Sequence, residues 1–142
     1  MVKRKLLLVV GAGASIEFGM HSVAGVDDIL DKHSRIWFPL AGNPDQNLYL
    51  CIKKGLDEYF QSMSLSQSSN FEDVLYTAYL LSSSGPYTTL IHTIKNFPEI
   101  IFFGTERRRP TKDDLQAFGH MSVDAILDGF RECCRLIETN NL

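Results

Sequence analysis

A short segment near the start of the chain has the residue types of a phosphate-binding turn. Five apolar residues, 6–10, run directly into Gly11-Ala12-Gly13, and Ser15 follows two positions later. Glycine at 11 permits a tight turn, and glycine at 13 lets a ligand approach the backbone where a Cβ would clash. If a helix follows, its free N–H groups and its positive end meet at the same point. The segment therefore predicts a diphosphate site, to which Ser15 can contribute its hydroxyl.

The element that would position this turn is the apolar run before it. The run does not alternate between apolar and polar residues, and a strand buried on both faces is typical of a parallel sheet covered by helices. We therefore predict an α/β fold with a Rossmann-like parallel sheet core, whose first strand covers residues 5–10. The strand and phosphate loop occupy about 5–20, and a large helical insertion occupies about 23–142 of a single domain.

Apolar residues in the rest of the chain recur mostly at helical spacing. Residues 34–47 contain two prolines and a glycine and are predicted to be an irregular connection. Residues 99–104, EIIFFG, are predicted to be a second strand or a buried link. Helices are predicted at 23–32, around 52–60, at 70–81, at 87–95 and from 112 to about 137.

Two of these predicted helices begin with a capping pattern. Asn70 has Asp73 three positions later, and Thr111 has Asp114 three positions later. The stripe Phe71, Val74, Leu75 and Ala78 is predicted to face the core from the first of them, as Ile52, Leu56, Tyr59 and Phe60 are from the helix before it. The inner face predicted for the long last helix carries Leu115, Phe118, Val123, Ile126, Leu127, Phe130, Cys133, Cys134 and Ile137.

Composition limits the possible partners and the compartment. The 142 residues carry a net charge of −3, so direct nucleic-acid binding is not expected, and Arg107-Arg108-Arg109 is interpreted as a solvated loop. No apolar run approaches the roughly 20 residues that span a bilayer, so no membrane contact is expected. The three cysteines, of which Cys133 and Cys134 are adjacent, are predicted to be reduced thiols of a cytoplasmic protein, and their spacing suggests no metal site.

The glycine segment does not fit the common dinucleotide fingerprint of dehydrogenases. That fingerprint would place its third glycine at position 16, where this chain has Ile16. It would also need a second strand that ends in an acidic residue about 20 positions on, whereas the residues around Asp31 are predicted to be helical. A hydride-transfer enzyme is therefore not expected.

The segment resembles instead the start of the sirtuin-like family of NAD-dependent proteins. The family pattern is Gly-Ala-Gly-x-Ser, three further residues, and then Gly-Ile-Pro. The proline of the family is His21 in this chain, and the Asp-Phe-Arg of the deacylases is replaced by residues 22–24, so protein deacylation is not implied. The positions that match are Gly11, Ala12, Gly13, Ser15 and Gly19.

The chain is most similar to the divergent bacterial sirtuin-like domains of anti-phage defence proteins, which hydrolyse NAD. Their helix start resembles NFEDVL at 70–75. The resemblance implies an NADase, with NAD as cofactor or substrate, that assembles as a homo-oligomer or with a sensor or effector partner of the defence system. It also implies that NAD contacts Gly11, Ala12, Gly13 and Ser15, and that His21 lies at the pocket rim. A solvent-facing turn histidine is the alternative interpretation of His21.

The catalytic residues of this family have no recognisable counterpart in the chain. In the family, an asparagine after a later strand and a histidine beyond it carry the reaction. Asn140 and Asn141 follow no apolar strand, and they are interpreted as the frayed end of the long helix. We therefore expect the chain to stop before the catalytic strand and to be inactive by itself. The alternative function is a non-catalytic nucleotide-binding or oligomerisation module.

Overall fold

A computed structural model of the protein describes residues 20–83 and 97–141, with side chains as far as residue 139. These residues form four helices and two short strands. None of the helices within these two ranges has the length and apolar character needed to cross a membrane. In chain order the elements are α1 (Val23–Trp37), α2 (Leu48–Ser62), α3 (Phe71–Ser83), β1 (Ile100–Phe102), β2 (Glu106–Arg108) and α4 (Lys112–Asn141).

The predicted Rossmann-like α/β fold with a parallel sheet core is wrong. The described residues are mostly helical, and their strands form one two-stranded sheet in which β1 pairs antiparallel with β2. Residues 103–105 join the strands directly, with positive φ angles of 51° at Phe103 and 78° at Gly104. Such a hairpin needs no crossover helix, and the described residues contain no pair of parallel strands for their helices to connect. The apolar run at 5–10, from which the parallel sheet was inferred, lies outside the described residues, as does the helix predicted at 87–95.

The core is formed where the four helices meet the hairpin. Phe38, directly after α1, is fully buried, and its ring lies edge-on to Phe102 of β1 at 6.0 Å and to Phe118 of α4 at 5.6 Å between centroids. Edge-to-face aromatic pairs at this spacing add to the stabilisation that burial already provides. This aromatic cluster fixes the hairpin against the end of α1 and the first half of α4.

The connection between α1 and α2 is more ordered than predicted. Residues 34–37 continue α1 by more than a turn beyond the predicted end at 32. Residues 39–41 then run beside residues 99–101, because the backbone N–H of Ile101 donates to the carbonyl of Pro39 at 2.9 Å and that of Ala41 donates to the carbonyl of Glu99 at 2.9 Å. Pro39 cannot donate to a strand partner, but its carbonyl is free to accept. The prediction of an irregular connection is therefore wrong for residues 34–37, which are helical, and for residues 39–41, which hydrogen-bond beside β1.

The capping patterns predicted for α3 and α4 are confirmed. The Asn70 side chain accepts from the N–H of Asp73 at 3.2 Å, and Asp73 accepts in return from the N–H of Asn70 at 3.0 Å. Thr111 and Asp114 make the same reciprocal pair, with N–H to oxygen distances of 3.3 Å and 2.7 Å. Each pair satisfies donors that a helix start would otherwise leave without partners.

The inner face predicted for α4 is correct only in part. Leu115, Phe118 and Cys133 are buried, whereas Val123, Leu127 and Cys134 are exposed. The helix turns by about 100° per residue, and the buried Ser122 takes the core position that the prediction assigned to its neighbour Val123. The inner face predicted for α4 from residue type alone is therefore wider than the face that is buried.

His33 makes the stability of this fold sensitive to acid. Its Nδ1 atom is buried and has no hydrogen-bond partner among residues 20–83 and 97–139, and burial lowers the pKa of His33 below its ordinary value of 6.5. As the pH falls, His33 therefore binds a proton in the unfolded chain before it does so in the folded protein. The contribution of neutral His33 to the free energy of unfolding is complete above about pH 6.5 and is lost as the pH falls through the pKa of the folded state. We expect urea denaturation to show a free energy of unfolding that falls from pH 7 to pH 5 less steeply in His33→Phe than in the native protein. Equal slopes for the two proteins would contradict this assignment.

Candidate functional site

The residues predicted to contact the NAD diphosphate lie outside the described ranges. Gly11, Ala12, Gly13 and Ser15 all precede residue 20, at which the described structure begins. Their role in binding a nucleotide stays a prediction. His21 is described, and it shows where the chain goes after the glycine segment.

His21 lies between α1 and α4. Its ring is half-buried and stands edge-on to Phe130 of α4, with centroids 5.9 Å apart. A Cβ atom at Gly25 would lie 3.2 Å from Nδ1 of His21, and a Cβ at Gly129 would lie 3.7 Å from Nε2. The imidazole therefore occupies space that side chains at these two positions would restrict.

Ser22 fixes the path from His21 into α1. Its Oγ accepts from the N–H of Gly25 at 3.1 Å, and its carbonyl accepts from the N–H of Val26 at 3.0 Å. A serine N-cap of this kind stabilises a helix start by about 1 kcal/mol relative to alanine. His21 and Ser22 are therefore held against two helices, His21 by aromatic packing on α4 and Ser22 by capping α1.

A polar network between α1 and α2 was missed by the sequence analysis. Asn47 is fully buried, its Nδ2 donates to Oδ1 of Asp31 at 2.6 Å, and its Oδ1 caps α2 by accepting from Leu50 N–H at 3.1 Å. Tyr49 donates its hydroxyl proton to Asp27, and Nζ of Lys53 lies 3.6 Å from the same carboxylate. The spacing of Asp27 and Asp31 by four residues, on one side of a predicted helix, was the available signal.

The chemistry of this network favours a structural role. Burial, followed by the hydrogen bond and charge of Asp27, raises the pKa of Tyr49 far above its ordinary value of 10. The phenol therefore stays protonated and acts as a donor rather than as a base. Within the described ranges, no three acidic, histidine or cysteine residues are grouped so as to hold a metal ion. The network joins α1 to α2 by hydrogen bonds and one ion pair between their side chains.

A second charged contact is formed by the arginine run that was interpreted as a solvated loop. Arg108 donates two hydrogen bonds to the carboxylate of Asp114, one of them 2.8 Å long, and its guanidinium lies 4.4 Å from the centre of the Phe102 ring. Although burial opposes it, hydrogen bonding from Arg108 and Thr111 lowers the pKa of Asp114. The solvated-loop interpretation is therefore wrong for Arg108, which joins β2 to the start of α4.

The described residues therefore bring His21 next to Phe130, and they do not bring a predicted catalytic group to it. Asn140 and Asn141 belong to the last turn of α4, in agreement with the interpretation of this stretch as a helix end.

Comparison of the chain with protein-family models, with curated proteins and with solved structures finds no match.

Proposed function

We propose that this chain binds NAD, with the diphosphate against the backbone of Gly11-Ala12-Gly13 and the hydroxyl of Ser15. The observation that carries the proposal is the pattern Gly-Ala-Gly-x-Ser directly after five apolar residues, followed by Gly19. Backbone N–H groups of such a segment can bind phosphate oxygens only where no side chain blocks the approach. The proposal rests on this local pattern and does not require a parallel sheet.

The described residues support the proposal through the position of His21. A binding segment needs a fixed exit, because a loosely attached loop would lose conformational entropy when the nucleotide orders it. His21 and Ser22 provide that exit by contacts with Phe130 of α4 and with the first turn of α1. The segment that precedes them is thus joined to two packed helices.

We propose that NAD bound in this way is the substrate of NAD hydrolysis in bacterial anti-phage defence. Water adds its oxygen to C1′ of the ribose, the bond from C1′ to the nicotinamide nitrogen breaks with its electron pair going to nicotinamide, and one proton is released. Positive charge develops on the ribose as this bond breaks, so a protein must orient the water and hold the sugar. In this proposal the glycine segment supplies binding, and no described residue is assigned to the water.

Gly13→Val tests the binding proposal. The added side chain would occupy the space through which the diphosphate approaches the backbone, and we expect the affinity for NAD to fall at least tenfold, or roughly 1.4 kcal/mol. Isothermal calorimetry with NAD measures this change, and circular dichroism checks that the helical content is retained.

Gly42→Val serves as the matched control for this experiment. A Cβ atom at Gly42 would meet no atom within 4 Å, so the substitution should be accepted without a change in NAD affinity. Equal affinities of the folded Gly13→Val variant and the native protein would refute the proposed diphosphate site.

A further inference from the structure

A cleft lies between α3 and α4, and its described lining residues all fall within 75–83 and 115–123. It has a volume of about 520 Å³, within the range of roughly 300–1,000 Å³ that is usual for small-molecule sites. Leu75 and Tyr79 line it from α3, and Leu115 and Val123 line it from α4. None of the described residues that line the cleft is Asp, Glu, Lys or Arg, so the cleft suits an uncharged ligand.

Gly119 shapes one wall of this cleft. A Cβ atom placed there would meet no atom within 4 Å, so the absence of a side chain leaves the helix backbone open to the cleft. Glycine is less favourable than alanine inside a helix, and packing against the neighbouring described atoms does not require it here. A flat ring could lie directly against the helix at this point.

Tyr79 of α3 contributes an exposed aromatic ring to the lining of the cleft. Its side chain is 64% exposed, although it lines an otherwise largely apolar cleft. Its carbonyl accepts from the hydroxyls of Ser82 at 2.8 Å and Ser83 at 2.7 Å, so these hydroxyl protons are already used and their oxygens remain free to accept. The phenol ring thus presents a surface for stacking at a rim that also offers hydrogen-bond acceptors.

The polar groups on α4 are suited to the edge of a nitrogen heterocycle. Gln116 and His120 are exposed, line the cleft and are four residues apart, which places them one helical turn from each other on either side of Gly119. A glutamine amide has one group that donates hydrogen bonds and one that accepts them. They complement the acceptor nitrogen and the donor amino group that lie along one edge of an adenine ring. We propose that this cleft binds an uncharged purine ring, stacked on Tyr79 and paired at its edge with Gln116.

The proposal is tested by titrating the isotope-labelled protein with adenosine and following amide NMR shifts. We expect the shifts to concentrate at residues 75–83 and 115–123, and AMP to bind no more tightly than adenosine because the described lining contains no lysine or arginine to pair with its phosphate. Shifts elsewhere, or no shifts at all, would overturn the proposal. A clear preference for AMP would do so as well.

Variants separate this cleft from the proposed NAD segment. Gly119→Leu should fill the cleft and abolish the shifts, whereas Asp124→Leu adds the same side chain to the exposed surface of α4 outside the lining and should change nothing. Tyr79→Ala removes an exposed side chain, which keeps the fold intact, and should weaken adenosine binding roughly tenfold. Gly13→Val should leave the cleft shifts unchanged, so loss of NAD binding and loss of cleft binding are distinguishable. Unchanged adenosine affinity in both folded cleft variants would refute the site.

Discussion

The 142-residue chain incubated with NAD should release no nicotinamide above the spontaneous rate. The glycine segment can bind, but neither the sequence nor the described structure supplies an asparagine and a histidine in the family's arrangement. Each positioned acid or base group is worth on the order of 10²–10⁴ in rate, so the loss of two would leave turnover undetectable. Chromatography of free nicotinamide after incubation measures the result directly.

Two outcomes of this assay would change the interpretation. Release of nicotinamide that is abolished by Gly13→Val would show that a catalytic group lies within these residues, and Ser15, His21 and Asn140 would be the first to substitute. Failure to bind NAD at all would instead favour the alternative of a non-catalytic assembly module. The exposed apolar side chains of Val123 and Leu127 on α4 would then be the surface to consider.

Asn47→Ala should lower the free energy of unfolding by about 2–3 kcal/mol. The substitution removes the N-cap of α2 and also the hydrogen bond that Asn47 donates to the partly buried carboxylate of Asp31. A lost cap costs about 1 kcal/mol, and a lost hydrogen bond to a charged group costs roughly 1.5–3 kcal/mol. The two costs overlap in part because one side chain makes both bonds. Urea denaturation followed by circular dichroism gives the difference.

Asn43→Ala is the control for this prediction. Asn43 is exposed, and its side chain accepts one local hydrogen bond, from the N–H of Asp45 at 3.1 Å. Its substitution should change the unfolding free energy by no more than about 0.5 kcal/mol. An Asn47→Ala variant as stable as Asn43→Ala would show that the α1–α2 network contributes little to the fold.

The parts of the fold that the sequence predicted correctly are those decided by neighbours in the chain. The caps at Asn70 and Thr111 each depend on a residue three positions later, so the pattern is visible in the sequence. Asn47 bonds to Asp31 across 16 positions, and no local pattern identifies such a partner. The strand that was one of the two predictions for residues 99–104 is confirmed by β1. Its pairing with β2 was missed, because a strand of three residues is too short for alternation to be distinguished from chance.

The error in fold class has the same origin. A single apolar run was used to predict an entire parallel sheet, although such a run cannot show which strands, if any, pair with it. For the candidate site, the glycine pattern predicts that the segment binds a diphosphate, but it does not show which other elements lie next to the segment. The contact of His21 with Phe130 spans more than 100 positions and depends on how α1 packs on α4, which only the structure shows.

The unequal burial of α4 gives one continuous helix two different resistances to local opening. Its 30 residues extend for about 45 Å, and its first half buries Leu115, Phe118 and Ser122. From residue 127 to 139, Cys133 is the one side chain that is fully buried, and the exposed pairs Asp128–Arg131 and Glu132–Arg135 add little. Amide hydrogens of the turns beyond Phe130 should therefore exchange through fraying that leaves the core closed. Those of the inner turns should exchange only when the whole fold opens.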